Sequence, residues 1–369
     1  MRRAIGLILA AALAVGVAVA AFLSIGADGP GEGQGAVVVR GVIGSEKKPF
    51  FDDPRVRAVF RDHGLNVQVD TAGSRQIAES VDLSKYAFAF PAGEAAAVKI
   101  KADRKIPTSY TTFYTPLVVA SFRPIADLLE GAGIVHDAGG YLTIDVAGFL
   151  DLVRRNTRWT DLPHNDVYPA SKSILITSTD VRTSNSAGLY LSLASYVAND
   201  DNVVQNEDQA RDVVQKVAPL FLRQGFVESS SEEPFEDYLA IGIGKTPMVM
   251  IYESQYLARV FANDGSIRPD MVLMYPEPDV LSKHTFVPLT SAGDRVGRLL
   301  LRDPRLVDLA ADYGFRTSDP GPFERRIAAH DVQIPEPLVD LVEPPTYETL
   351  EFMITLIERE YVQAQGGTA

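Results

Sequence analysis

The sequence contains no cysteine, and this absence removes several classes of protein at once. Without thiols the chain can form no disulfide bond, no thiolate metal site and no cysteine nucleophile. It also contains neither a Gly-x-Ser-x-Gly nor a His-Glu-x-x-His motif. The five histidines show no metal-ligand spacing, and we interpret them as surface or capping residues: His63, His136, His164, His284 and His330. The sequence therefore predicts a protein that is not an enzyme and carries neither metal nor cofactor.

An excess of basic charge is also lacking. The chain has 35 lysines and arginines against 48 aspartates and glutamates, a formal net charge of −13. Binding to nucleic acid requires a basic surface, so we expect no nucleic-acid partner. A cleft can still be locally positive on an acidic protein, which leaves small ligands open. With 46% hydrophobic residues and 369 residues in all, the composition predicts real cores and two lobes or domains.

The N-terminus carries a signal for export. After Met1-Arg2-Arg3, residues 4–27 contain no charged side chain. A cationic start and an apolar core are typical of a signal peptide, and Ala18-Val19-Ala20 fits a cleavage site. Alternatively, the run is long enough to span a bilayer and stay as an anchor. Either way we expect the chain, behind a Gly-rich linker at 28–35, on the outer face of the cytoplasmic membrane, anchored or secreted.

Alternation of strand and helix patterns follows the linker. Apolar runs at 36–43, 65–69 and 86–90 predict strands, with helices between them. Such a β-α-β-α-β order predicts a parallel sheet flanked by helices. Further strands are predicted at 109–122, 173–177, 248–252 and 271–275, and helices at 189–198, 208–224 and 347–361.

Three loops place glycine and hydroxyl residues just before a helix. They are Gly44-Ser45, Gly73-Ser74-Arg75 and Thr183-Ser184-Asn185-Ser186. A helix N-terminus exposes unpaired N–H groups and a partial positive charge, which suit an anion. Simple helix capping is the alternative interpretation of each loop. Three such loops in one chain favour a ligand cleft at the carboxyl ends of the strands.

Four stretches together resemble a known family. They are Gly73–Ile77, Tyr114–Val119, Met250–Gln255 and Leu309–Arg316, in this order along the chain. The first is similar to a Gly-Ser-x-x-Ile loop, and the last to a C-terminal helix ending of molybdate binders. In this order the chain resembles the bacterial extracytoplasmic solute-binding proteins of ABC transporters, in the two-lobed (type II) class that includes molybdate, sulfate and phosphate binders.

The resemblance implies a two-lobed α/β fold with mixed, mainly parallel sheets that closes on a ligand like a hinged trap. It implies a first lobe of residues 36–118 plus 253–318, a second lobe of 119–252, and an extension, 319–369, that packs on a lobe. Glu46 and Glu253 depart from it, because their charge would repel a bare dianion. The expected ligand-binding residues are Ser45, Ser74, Arg75, Thr115, Ser184, Asn185, Ser186, Tyr252 and Glu253.

Three functions follow from these observations. The first is capture of a small solute, with an oxyanion as a candidate, in the cleft between the lobes for an ABC permease. The second is a membrane-tethered sensor or scaffold of the cell envelope that uses the same fold, with residues 4–27 in the membrane. The third is an exported enzyme, for which the sequence provides no nucleophile, base and orienting group together.

Overall fold

The structure is a computed structural model that describes residues 36–225 and 228–366. The predicted signal or anchor at 1–27 and the predicted linker at 28–35 lie outside these residues. Within the described ranges, no helix is both long enough and apolar enough to cross a bilayer.

The described chain alternates strands with helices. The strands are β1 (Val37–Ile43), β2 (Leu65–Thr71), β3 (Phe88–Phe90), β4 (Tyr110–Phe122), β5 (Val135–Asp137), β6 (Leu142–Asp145), β7 (Met248–Tyr252), β8 (Met271–Glu277), β9 (Asp279–Pro288) and β10 (Leu341–Val342). The helices are α1 (Lys48–Asp52), α2 (Pro54–Asp62), α3 (Ser74–Glu79), α4 (Glu94–Arg104), α5 (Arg123–Gly131), α6 (Val146–Arg154), α7 (Asn185–Ala198), α8 (Glu207–Val217), α9 (Pro219–Leu222), α10 (Glu232–Ala240), α11 (Glu253–Ala262), α12 (Ser291–Arg302), α13 (Pro304–Asp312), α14 (Gly321–His330) and α15 (Tyr347–Gly366).

The strands form a mixed sheet in the order β2-β1-β3-β9-β4-β8-β6-β5, with β10 beside β9 and β7 beside β4. β1 runs parallel to β3, and β6 runs parallel to β8. β4 is antiparallel to β7, β8 and β9, and β3 is antiparallel to β9. The predicted mixed α/β fold is therefore confirmed.

The long strand β4 serves both lobes. Its residues Tyr110–Pro116 pair with β9, whereas Leu117–Phe122 pair with β7 and β8. The first lobe is accordingly built on β1, β2, β3, β9 and the first part of β4, and the second lobe on the rest of β4 and β5 to β8. The chain crosses back between β8 and β9. The prediction placed β8 in the first lobe, but its sheet partners are second-lobe strands; the residue ranges of the lobes stay a prediction.

Each lobe has its own core. In the first lobe, phenylalanines from several elements pack together, as Phe88 does on Phe286 with ring centroids 4.6 Å apart. In the second lobe, α7 is buried on almost every side from Ser186 to Ser195. A helix that is apolar all round belongs in a core, which explains why the leucines of α7 follow no single stripe.

Two predicted elements differ in the structure. Residues 173–177 form only isolated bridges, Arg158 with Ser173 and Thr177 with Val249, and the Ile174 N–H donates to the Thr157 carbonyl in the first of them. The predicted helix 208–224 is divided into α8 and α9 at Pro219. Proline has no N–H with which to continue a helical hydrogen-bond ladder, so a new helix begins there.

Candidate functional site

A small cleft lies where the two lobes meet. Its volume is about 170 Å³. Loops that follow the strands of the first lobe form one wall, and second-lobe residues that precede helices form the other. The lining residues are Gly44, Ser45, Glu46, Thr71, Ala72, Gly73, Ser74, Gln76, Ala92, Ser184, Asn185, Ser229, Ser230, Ser231 and Tyr252. Hydroxyl groups therefore dominate the polar lining.

The first-lobe wall is made by loops after neighbouring strands. Ser45 begins a short 3₁₀ turn directly after β1, and Ser74 begins α3 after β2. The Ser74 hydroxyl accepts a hydrogen bond of 2.9 Å from the Ala92 N–H, which follows β3. This bond ties two of the loops together and holds Ser74 at the wall of the cleft.

The second-lobe wall contains the N-termini of α7 and α10. α7 begins at Asn185, whose side-chain amide donates a 3.0 Å hydrogen bond to the Tyr252 hydroxyl. α10 begins directly after the three serines at 229–231. The first amides of a helix have no partner within it and carry a partial positive charge. This wall therefore offers N–H and hydroxyl donors without a formal charge.

The two walls touch across the cleft. The hydroxyls of Ser45 and Ser230 lie 2.8 Å apart and share a hydrogen bond. A Cβ on Gly73 would lie 2.3 Å from the carbonyl oxygen of Thr183. Glycine at 73 is thus required by the close approach of the two lobes.

Glu46 contributes the one carboxylate of the described lining, and a buried cation on the side away from the cleft balances its charge. It forms an ion pair with Lys47, whose side chain is fully buried. Burial alone would raise the pKa of Glu46, but the adjacent Lys47 ammonium and His284 outweigh it and lower the pKa to about 2. Glu46 is therefore ionised yet compensated, which offsets the predicted repulsion of an anion.

His284 completes this buried group. Its Nδ1 lies 3.2 Å from the Lys47 ammonium, and its side chain has no exposed surface. Burial and the neighbouring Lys47 charge lower its pKa to about 4, so the ring is neutral at neutral pH. Its interpretation as a surface or capping residue is wrong, because β9 passes through the centre of the first-lobe sheet.

Five of the predicted ligand-binding residues line the cleft together. They are Ser45, Ser74, Ser184, Asn185 and Tyr252. All five lie at the end of a strand or the start of a helix. Their role as ligand contacts stays a prediction.

The other four predicted residues do not line this cavity. Thr115 lies on β4 where this strand passes from the first lobe to the second, and its hydroxyl accepts a 3.0 Å hydrogen bond from the Ser254 N–H. Ser186 shares a 2.9 Å hydrogen bond with Thr179 beneath the start of α7. Both hydroxyls are buried inside the walls of the cleft.

The two charged members, Arg75 and Glu253, are each engaged by an opposite charge. Arg75 donates from Nε to Glu351 of α15 at 2.7 Å. Glu253 is fully buried and accepts two hydrogen bonds of 3.0 Å from Arg316. Both partners are distant in sequence, so no local pattern indicated them.

Several lining residues were not predicted from the sequence. They are Thr71, Gln76, Ser229, Ser230 and Ser231. A usable signal existed for the serines, because three of them stand immediately before Glu232-Glu233, which is a typical helix start.

Comparison with known proteins supports the fold. Neither a family model nor a curated protein sequence matches the chain. Among solved structures, the sulfate-binding protein SubI from Mycobacterium tuberculosis H37Rv is similar with a TM-score of 0.53 and 15% identity, covering 85% of this chain and 96% of that one. Iron-bound HitA from Pseudomonas aeruginosa has a TM-score of 0.55 and 11% identity, covering 88% and 99%. An ABC transporter solute-binding protein from Thermotoga lettingae TMO, bound with α-D-tagatose, has a TM-score of 0.55 and 12% identity, covering 88% and 94%.

The chain has the fold of the two-lobed solute-binding proteins of ABC transporters. This solute-binding-protein fold is the one that the four sequence stretches predicted. The similar structures hold or are named for sulfate, iron and a sugar, so the fold does not determine the ligand.

Proposed function

We propose that this chain captures a small polar solute in the cleft between its lobes, outside the cytoplasmic membrane, and delivers it to an ABC transporter. The observation that carries the proposal is the hydroxyl-lined cleft at the junction of the lobes, where α7 and α10 begin. In open α/β sheets, ligands bind beyond the carboxyl ends of the strands, and both lobes contribute such loops here.

The lining favours a compact solute bound by hydrogen bonds. Among the described lining residues there is no lysine, arginine or histidine, and the charge of Glu46 is balanced by Lys47. Hydroxyls and helix N-termini suit an oxyanion such as sulfate or phosphate, whose charge they stabilise as dipoles. A small polyol fits the same donors and acceptors and is the alternative ligand class.

Thermal unfolding of the full chain with a panel of solutes tests the proposal. At a concentration about 100 times the Kd, a bound solute should raise the free energy of unfolding by about 2.7 kcal/mol. Sulfate, phosphate, molybdate, small polyols and amino acids form the panel. If no solute in such a panel stabilises the chain, solute capture is contradicted.

The variant Asn185→Ala tests the site itself. Removal of one hydrogen-bond donor should weaken the binding of a stabilising solute roughly tenfold, which corresponds to about 1.4 kcal/mol. Asn202→Ala, on an exposed turn of the second lobe, is the matched control and should leave affinity unchanged. Equal affinities in both variants would place the site elsewhere in the chain.

The membrane partner is tested with the native host. We expect the full chain on the outer face of the cytoplasmic membrane and, after mild cross-linking, ABC permease subunits attached to it. Attachment to a signalling or structural envelope protein instead would favour the sensor or scaffold function. The mass of the isolated chain decides whether residues 4–27 remain as an anchor.

A further inference from the structure

The part of the chain that follows α14 contacts both lobes. β10 pairs in parallel with β9 at Asp279 and Val280, directly beside the second crossing. From there the chain enters α15, which contacts α7, α8 and α9 of the second lobe and α4 of the first. The extension was predicted to pack on one lobe, but α15 contacts two.

On the second lobe, α15 is held by apolar burial. Met353, Ile354 and Ile357 are part of the large second-lobe core, with no more than 3% of their surface exposed. Near the end of the helix, the Tyr361 hydroxyl donates a 2.9 Å hydrogen bond to the Phe221 carbonyl. These aliphatic side chains are removed from water on folding, so this attachment is strong.

On the first lobe, α15 is held by polar contacts. Glu351 accepts hydrogen bonds from Arg75 Nε at 2.7 and 2.8 Å, and the Tyr347 hydroxyl donates to Glu79 at 2.5 Å. The Arg75–Glu351 side chains are partly exposed, and water and salt weaken such a pair. An open pocket of about 590 Å³ also lies between α4 and the chain before α15.

Arg75 connects this contact to the cleft. It follows Ser74, which lines the cleft, and its Nη1 donates a 3.0 Å hydrogen bond to the Arg182 carbonyl just before α7. One guanidinium thus joins α15, the first lobe and a second-lobe loop at the edge of the cleft.

We propose that α15 is a latch that is anchored in the second lobe and reversibly holds the first lobe. The latch consists of the Glu351–Arg75 and Tyr347–Glu79 contacts. Because these contacts are much weaker than the buried face of the helix, opening of the cleft breaks them first while α15 stays on the second lobe. The latch therefore limits how far and how often the lobes separate.

Because the chain contains no cysteine, the distance between the lobes can be measured with two introduced spin labels. The replacements Lys85→Cys and Asp208→Cys place one spin label on an exposed site of each lobe, with no other thiol in the chain. Pulsed electron paramagnetic resonance of the full chain then gives the distribution of distances between the lobes. Glu351→Gln and, separately, Tyr347→Phe should shift this distribution to longer distances. Arg359→Gln, an exposed change about two turns beyond Glu351 on the same helix, is the control and should leave it unchanged.

Salt provides an independent test of the same latch. Raising ionic strength screens the partly exposed Arg75–Glu351 pair, so salt should shift the distances between the lobes of the unmodified chain to longer values. The Glu351→Gln variant should respond to salt much less. Circular dichroism and thermal unfolding confirm that each variant is folded. Distance distributions that are the same in Glu351→Gln, Tyr347→Phe and the unmodified latch would overturn the proposal. No solute is needed, so this result is separate from the test of solute capture.

Discussion

At the scale of single residues, the most unusual feature is the buried group behind the cleft. Glu46, Lys47 and His284 lie together with at most 5% of any side chain exposed. A buried charge is tolerated only when it is paired, and Lys47 pairs with Glu46 while His284 stays neutral. The group thereby lets a carboxylate line the cleft without a net negative charge.

His284 is buried in its uncharged form, and for this reason the free energy of unfolding depends on pH. Its pKa is lowered from 6.5 to about 4 in the fold, so between these values only the unfolded chain takes up the proton. The free energy of unfolding is therefore unaffected by His284 above pH 6.5. As the pH falls from 6.5 to 4, protonation of the unfolded chain lowers it by about 3 kcal/mol. In His284→Gln, the free energy of unfolding from denaturant titrations should fall less between pH 7 and pH 4.

His136→Gln provides the comparison, because His136 is exposed on β5. It should retain the pH dependence of the unmodified chain. If His284→Gln shows that same dependence, the assignment of the pH effect to His284 is wrong.

At the scale of elements, α15 shows how a helix can be defined by its environment. Its apolar side chains recur at helical spacing, with Met353, Ile354 and Ile357 on the face that enters the second-lobe core. Arg211 of α8 lies over the ring of Phe352, at 4.8 Å from its centroid, and covers the flank of that face. Burial of this stripe, more than helix propensity, holds the helix in place.

Truncation of the stripe should therefore be costly. Ile357→Ala removes a fully buried side chain and leaves a cavity, so we expect a loss of about 3 kcal/mol in the free energy of unfolding. Val362→Ala on the same helix removes a side chain that is 67% exposed and should change it by less than about 0.5 kcal/mol. Chemical denaturation measures both variants. Similar losses would mean that the packing of α15 contributes little.

At the scale of the whole molecule, the contact of the two lobes depends on glycine. Gly73 in the first lobe faces the Thr183 carbonyl of the second lobe, whereas Gly93 faces the tip of the Asn185 side chain, which can shift. Gly73 has backbone angles that other residues adopt, so the space between the lobes is what requires glycine there. The structure thus presents the cleft with its walls in contact.

Gly73→Ala should keep the lobes from closing this far. The added Cβ would lie 2.3 Å from a backbone oxygen, which must move, and such overpacking costs about 1–3 kcal/mol. Small-angle X-ray scattering should show a larger radius of gyration than in the unmodified chain. Gly131→Ala, where nothing lies within 4 Å of the added Cβ, should leave the radius unchanged. If Gly73→Ala has the same radius of gyration as the unmodified chain, the walls of the cleft adjust locally to the added Cβ.

Much of the fold could be predicted because its signals are local. Alternation of strand and helix patterns indicated α/β structure, and glycine with hydroxyl residues before a helix indicated Ser45, Ser74 and Asn185. These residues line the cleft because the chain direction of a strand decides which loops share an edge of the sheet. The predicted strand at 173–177 failed because its apolar run packs into the second-lobe core without a continuous sheet partner.

The sequence by itself determined most of the strand and helix pattern and the hydroxyl loops, since each depends on neighbours along the chain. Only the tertiary structure decided what the charged residues do. Arg75 turns to Glu351 and Glu253 turns to Arg316, across separations of 276 and 63 residues. A charge finds its partner through space, and of these two pairs only the buried Glu253–Arg316 pair is strengthened by low-dielectric surroundings. For this reason the sequence placed both charges in the ligand site, and the folded chain uses one to fasten α15 and the other to support the crossing.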